Sequence, residues 1–162
     1  MAPTLSPLVR SFVAPSGQMG SRWGINRTVG QIYALIYVAP KPVSADEIAD
    51  ALEFSRGNVS MGLKELKAWG LVRLRHFSGD RREYFEAPGD AWEVFRTLAE
   101  ERRRREIEPT LTMLRSALLE DPTTPEDRHA QARMKDMHDV IELTTSWFDD
   151  VQRLDVETLA RL

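Results

Sequence analysis

At 162 residues, with 42% apolar and 29% charged side chains, the chain is long enough for one domain with a real core, or one domain with appended helices. It has no Cys, which excludes disulfides and thiolate metal sites. No segment approaches the roughly 20 apolar residues of a membrane span, and the start lacks a basic flank followed by a long apolar run, so a cytoplasmic protein is expected. The net charge of −3 argues against a polyanionic partner until its distribution is read. Residues 55–82 hold seven Lys/Arg against two Asp/Glu, whereas residues 83–162 hold eleven against nineteen. Cationic charge is thus gathered into one short stretch, as phosphate binding requires, while the acidic remainder favours solubility.

Leu5, Leu8, Val9, Phe12 and Val13 predict a short amphipathic helix halted near Pro15-Ser16-Gly17, with Met19 and Trp23 on a second short piece ending at Gly24. Asn26 or Thr28 starts the next helix, whose Val29, Ile32, Tyr33, Leu35, Ile36 and Val38 are dense enough to be buried. Pro40 and Pro42 end it. Ser44-Ala45-Asp46-Glu47 has the residues of a capping box, and Ile48, Ala49 and Leu52 give the helix it opens an apolar face. Phe54 to Asn58 supplies a turn and the next cap. Val59, Leu63 and Leu66 then recur at helical spacing, and Trp69-Gly70 closes that helix with a glycine suited to the left-handed position. Leu71 to Arg75 alternates as a strand, Ser78-Gly79-Asp80-Arg81-Arg82 is a cationic turn, and Glu83 to Glu86 returns. Helix, tight turn, helix, strand, basic turn, strand is the order of a winged helix-turn-helix, a module whose second helix fits the DNA major groove.

Beyond the wing, a long helix starts at Pro88 or Asp90 and runs through Trp92, Phe95, Leu98 and Ala99, with a kink or restart expected at Pro109. Ile107, Leu111, Leu114 and Leu118 form one coiled-coil-like seam. After the loop from Asp121 to Pro125, Met134, Met137, Ile141, Thr144, Phe148 and Val151 form a second on a helix from about Glu126 to Arg153, widened by Val140, Trp147 and Leu154. A lone helix cannot hide either seam, so each packs on the other, on the N-terminal helix or on a second subunit.

Turning Val59, Leu63 and Leu66 inward sends Gly57, Met61, Lys64 and Ala68 outward, with Ser60 and Lys67 on one flank. Arg56 and Asn58 fall in the first turn, where recognition helices meet base edges; Arg suits guanine O6/N7 and Asn suits adenine N6/N7. Ser55 and Ser60 suit phosphate or base contacts, Gly57 permits close approach, and Lys64 and Lys67 suit phosphates. Arg73, Arg75, Arg81 and Arg82 on the hairpin suit the minor groove or the adjacent backbone. The alternative is that these are solvated charges and that Ser55 only caps. Arg102-Arg103-Arg104-Arg105 reads instead as an ion-paired face, with Glu100–Arg104 and Glu101–Arg105 at i,i+4 spacing.

The chain resembles the GbsR-like branch of the MarR-type bacterial transcriptional regulators. The resemblance is carried by residues 20–35 (Gly20-Ser21-Arg22-Trp23-Gly24-Ile25-Asn26-Arg27-Thr28-Val29-Gly30-Gln31-Ile32-Tyr33-Ala34-Leu35), by residues 54–66, by Trp69-Gly70-Leu71-Val72 and by Gly79-Asp80-Arg81-Arg82. It covers roughly residues 10–120. It implies a homodimer joined through terminal helices, each subunit presenting a winged module to half of an operator. Family members include regulators of choline and glycine-betaine uptake or synthesis. Pro15-Ser16-Gly17 departs from the family's uninterrupted first helix, and the segment after Pro122 matches least.

An enzyme is not expected: no Gly-rich phosphate loop or nucleophile elbow is present. No metal or cofactor is expected either. His76, His129 and His138 do not share a metal spacing, and exposed helix positions explain His138 with Asp139 or Glu142 as well as a ligand set does. Trp23, Tyr33, Tyr37, Trp92, Phe95, Trp147 and Phe148 lie on helices able to converge on an effector pocket; aromatic faces attract quaternary ammonium groups, and the alternative is plain core. The fold expected is mainly α: a winged helix-turn-helix with a two-stranded β-wing and long N- and C-terminal dimerisation helices. Residues 1–24 are read as an N-terminal dimerisation segment, 25–88 as the DNA-binding domain and 89–162 as a helical dimerisation region. The function expected is a homodimeric repressor binding a pseudo-palindromic operator through helix 55–69 and wing 77–83. The competing class is a winged-helix protein-interaction module without sequence-specific DNA binding.

Overall fold

The computed structural model describes residues 5–162, so Met1–Thr4 of the N-terminal segment lie outside the described residues. The chain divides into two units, Met1–Asp90 and Ala91–Leu162. In the first, α1 (Pro7–Arg22) and α2 (Arg27–Val38) precede a short strand β1 (Val43–Ser44), α3 (Ala45–Leu52), α4 (Arg56–Ala68), β2 (Arg73–Arg75) and β3 (Tyr84–Glu86). Local chemistry sets most of these boundaries. Asn26 caps α2, its Oδ1 accepting from the Thr28 N–H at 2.8 Å. Ser44 and Glu47 complete the expected capping box at α3: the Glu47 N–H donates to Ser44 Oγ at 3.3 Å and the Ser44 N–H donates to Glu47 Oε2 at 2.7 Å. Beyond Trp69, Gly70 takes φ +73°, the Gly70 N–H donates to Lys67 O and the Leu71 N–H donates to Leu66 O, both at 3.0 Å.

The core of this unit is α2 with the inner faces of α3 and α4. Ile32, Ile48, Val59 and Leu66 are its most completely buried large side chains. Gly62 lets α4 lie close to α2: a methyl there would come within 2.6 Å of Ile32 Cδ1. The sheet has order β1-β3-β2, all antiparallel, so the expected two-stranded wing gains a third strand from the residues just before α3. Pairing of Ser44 with Tyr84 ties the wing to the start of α3.

The halt expected at Pro15-Ser16-Gly17 does not occur. A single helix runs through Pro15, although proline removes an intrahelical hydrogen bond. The Ser16 hydroxyl donates to Phe12 O at 2.6 Å, serving one carbonyl of the disturbed turn. Tertiary packing supplies the rest: a methyl on Gly30 would meet Ser16 O at 3.0 Å and Gly17 Cα at 3.4 Å, so α1 and α2 cross nearly backbone to backbone. The N-terminal helix is thereby part of the winged-helix unit.

The second unit holds α5 (Ala91–Arg102), a π-helical turn (Arg103–Ile107), α6 (Glu108–Leu118), α7 (Pro125–Gln152) and a last short α8 (Val156–Leu159). The disturbance expected at Pro109 takes the form of that π turn, in which the Glu108 N–H donates to Arg103 O five residues back. Thr124 and Asp127 form a capping box at α7. Helices α6 and α7 pack antiparallel, with Leu111 and Leu114 buried and Arg115 Nη2 donating to Glu142 Oε1 at 3.0 Å. The four consecutive arginines are all ion-paired. Glu101 takes Arg105 as expected at 3.5 Å and also Arg104 at 2.9 Å, while Glu100 takes Arg103, not Arg104, at 2.8 Å. Arg102 pairs with Glu106, and Arg103 also reaches Glu108 and Asp149. This run is occupied by carboxylates, as a solvated face should be.

Candidate nucleic-acid interface

Val59, Leu63 and Leu66 are buried on α4, and the opposite face is open. Arg56, Gly57, Asn58, Ser60, Met61, Lys64 and Lys67 are all exposed, Met61 at 73% for so large an apolar side chain. Nothing lies within 4 Å of where a Gly57 methyl would be, so the first turn of α4 presents bare backbone. Ser55 is the N-cap: its Oγ accepts from the Asn58 N–H at 3.2 Å, which occupies one lone pair and leaves the O–H to donate. The turn before it passes through Glu53 at φ +57°, a left-handed residue that closes α3.

The seven cations of the basic stretch fall into two groups. Arg56 Nε lies 3.2 Å from Asp46 Oδ1 on α3. Arg73 and Arg75 share Glu86, at 2.8 and 3.7 Å, because the β2–β3 register sets Arg73 opposite Glu86. Arg82 is held most firmly: its Nη2 donates to Asp80 Oδ2 at 2.8 Å, its backbone N–H donates to Asp80 Oδ1 at 3.0 Å, and its guanidinium lies 5.4 Å from the Tyr84 ring centre. Tyr84 also donates its hydroxyl to Asp80 Oδ2 at 2.7 Å. The Arg82 guanidinium, then its backbone N–H, then the Tyr84 hydroxyl hold the Asp80 carboxyl well below the usual carboxylate range. Phe77 meets Tyr84 edge-on at 4.9 Å and packs this hairpin from the other strand end. By contrast, Lys64, Lys67 and Arg81 have no carboxylate at ion-pair distance among the described residues.

Between α3, α4 and β3 lies an open cleft of about 520 Å³, lined by Ser44, Asp46, Ser60, Lys64, Lys67, Arg82 and Glu83 among others. The sequence reading missed the partners that hold four of these cations: Asp46, Asp80, Tyr84 and Glu86. The strand alternation would have exposed Glu86 once the hairpin register was known. The Asp80–Arg82 spacing in a glycine turn is a local signal that was available.

The aromatic residues proposed for an effector fall in both units. In the first, Tyr33 and Tyr37 approach at 6.0 Å and Tyr37 meets Phe12 at 6.4 Å; burial, then Tyr37, push the Tyr33 hydroxyl up to about 12. Trp23 is part-exposed at the end of α1. In the second unit Trp92 stacks on Phe95 at 5.2 Å, Phe148 meets Phe95 edge-on, and Trp92 Nε1 donates to Leu154 O at 3.0 Å. Those rings spend their faces on one another. Trp147 is exposed on α7.

The family model described as MarR family matches residues 23–83, from the end of α1 to the wing. The winged-helix region is thus similar to the MarR family over less than half of the chain. Over more of the chain, the HTH-type transcriptional repressor GbsR of Bacillus subtilis (strain 168) is 25% identical across 136 residues, 82% of this chain and 75% of that one. The HTH-type transcriptional regulator MmpR5 of Mycobacterium tuberculosis is 29% identical over 87 residues, 53% of each chain. A solved structure described as a transcriptional regulator, 24% identical, superposes with a TM-score of 0.68 over 90% of this chain and 96% of its own, which shows the shared fold. Through its winged-helix unit the chain is thus similar to MarR-family transcriptional regulators. No helix among its described residues is long and apolar enough to cross a membrane.

Proposed function

We propose that the protein is a homodimeric, cytoplasmic transcriptional repressor that reads a pseudo-palindromic operator, with no catalytic role. The observation that carries this reading is the outer face of α4, where Asn58, Ser60, Met61, Lys64 and Lys67 stand open, together with an exposed Arg81 on the wing that has no carboxylate at ion-pair distance among the described residues. Arg56 and Asn58 at the start of the helix address base edges. Lys64, Lys67 and Arg81 hold phosphates, which need charge more than direction. A neutral or acidic face would have favoured the protein-interaction alternative.

Dimerisation through the terminal helices is supported by two apolar stripes exposed on the single chain. On α1 the stripe is Leu8, Phe12, Met19 and Trp23; on α7 it is Met137, Val140, Leu143 and Trp147, all exposed. Two symmetric heads about 34 Å apart would meet successive turns of one duplex face. Repression follows if the bound dimer blocks polymerase. An effector at the aromatic residues belongs to the same reading, and calorimetric titration with choline and betaine tests it: no heat with either removes it.

A gel shift with sheared genomic DNA at low and moderate salt tests the reading as a whole. Retardation that weakens as salt rises supports it, and no retardation at low salt contradicts it.

A further inference from the structure

We infer that Asp46 is a positioning residue for Arg56: a carboxylate on α3 that touches no base sets how strongly each half-site is read for guanine. The inference rests on the proposal above that α4 reads base edges, and it goes beyond that by assigning a specificity role to a residue of the neighbouring helix.

Arg56 is the first residue of α4, and Asp46 stands in the first turn of α3. Both helix starts are fixed, α3 by the Ser44–Glu47 box and α4 by the Ser55 cap, and the short turn between them is closed by the left-handed Glu53. The two backbone positions are therefore set, while the long Arg56 side chain would otherwise sample many rotamers. Asp46 restricts it from one side, its Oδ1 lying 3.2 Å from Nε. Neither Nη of Arg56 donates to any acceptor among the described residues. Those two donors form the fork that pairs with guanine O6 and N7, so the contact orients the guanidinium and leaves its reading edge uncommitted. Ordering a side chain before it binds lowers the entropy lost on binding.

Charge adds a second effect. Asp46 lines the same cleft as Lys64 and Lys67, where phosphates would pass. A carboxylate there disfavours any docking in which Arg56 does not neutralise it, and specificity grows when wrong complexes are penalised. Arg56 is the one cation on α4 with a carboxylate at ion-pair distance among the described residues; Lys64 and Lys67 have none. The directional contact is buttressed and the non-directional ones are not.

The test is selection of bound fragments from a random duplex pool by the full-length protein and by Asp46→Asn, Asp46→Glu and Arg56→Ala, with thermal unfolding of each. The wild type should enrich guanine at one position of each half-site, and Arg56→Ala should erase that enrichment. Asp46→Asn should cut the preference at that same position about fivefold while raising affinity for non-specific DNA about twofold, and Asp46→Glu should restore most of the preference. A purely structural role would weaken every position alike. An Asp46→Asn protein with unchanged guanine preference, or with loss spread evenly over the site, overturns the inference. So does a motif in which Arg56→Ala changes no position, while leaving operator binding intact. A wild type that enriches no motif overturns the operator reading itself, and the inference falls with it.

Discussion

Arg82 is bound to Asp80 through both its guanidinium and its backbone N–H, at 2.8 and 3.0 Å, whereas its neighbour Arg81 is exposed and has no carboxylate at ion-pair distance among the described residues. Two adjacent arginines at the tip of one hairpin thus have different tasks. Arg82 shapes the turn, and Arg81 is the one proposed to meet DNA. Arg81→Ala should leave stability unchanged within about 0.5 kcal/mol and flatten the salt dependence of DNA binding. Arg82→Ala should loosen the wing, seen as faster hydrogen exchange at residues 79–84, before any change in the slope. Equal effects of the two substitutions on the salt slope would refute the division.

The same clamp has a defined pH range. Asp80 titrates below an ordinary aspartate, so its contribution to folding is complete above the unfolded value, near 3.9, and is lost as pH falls through the lower folded value. The stability difference between the wild type and Asp80→Ala should stay constant from about pH 8 to pH 5 and shrink only below about pH 4. Thermal unfolding across that range measures it. A difference that disappears by pH 5 would mean the carboxyl is not held by Arg82.

Two glycines of α4 should respond in opposite directions to the same change. Gly62 faces the fully buried Ile32 side chain, 2.6 Å from a methyl's position, whereas Gly57 faces open space. Gly57→Ala should stabilise the protein by about 0.5–1 kcal/mol through helix propensity and yet weaken DNA binding, because backbone approach is lost. Gly62→Ala has the same propensity gain but overpacks the core, for a net loss of about 1 kcal/mol. Chemical denaturation with a parallel binding assay separates the cases, and a Gly57→Ala protein with full DNA affinity would remove backbone approach from the mechanism.

What was legible in the sequence was mostly what is local. Caps at Asn26, Ser44 and Ser55, the buried spacing of Val59, Leu63 and Leu66, and the left-handed Gly70 each depend on residues a few positions apart. The continuity of α1 was not legible, because it depends on Gly17 meeting Gly30 across a helix crossing, and that contact outweighs the local signal of Pro15. The proline at 109 was correctly read as a disturbance, but nothing local distinguishes a kink from a π turn. At the candidate site the exposed face of α4 followed from periodicity alone. The pairing of Arg56 with Asp46 and of Arg73 with Glu86 did not, since both need tertiary geometry.

The α7 stripe gives a test of assembly. Trp147→Glu with Val140→Glu places two charges on a face proposed to be buried in the dimer, and should shift sedimentation from dimer to monomer at micromolar concentration with little change in helicity. A double variant that remains dimeric would move the interface elsewhere.

The most direct measurement is the salt dependence of binding to a selected duplex, followed by fluorescence anisotropy with the stoichiometry fixed by titration. With Lys64, Lys67 and Arg81 engaged in each of two subunits, the account predicts two chains per duplex and a slope of log K against log salt of about −5. One chain per duplex, or a slope near zero, would contradict it.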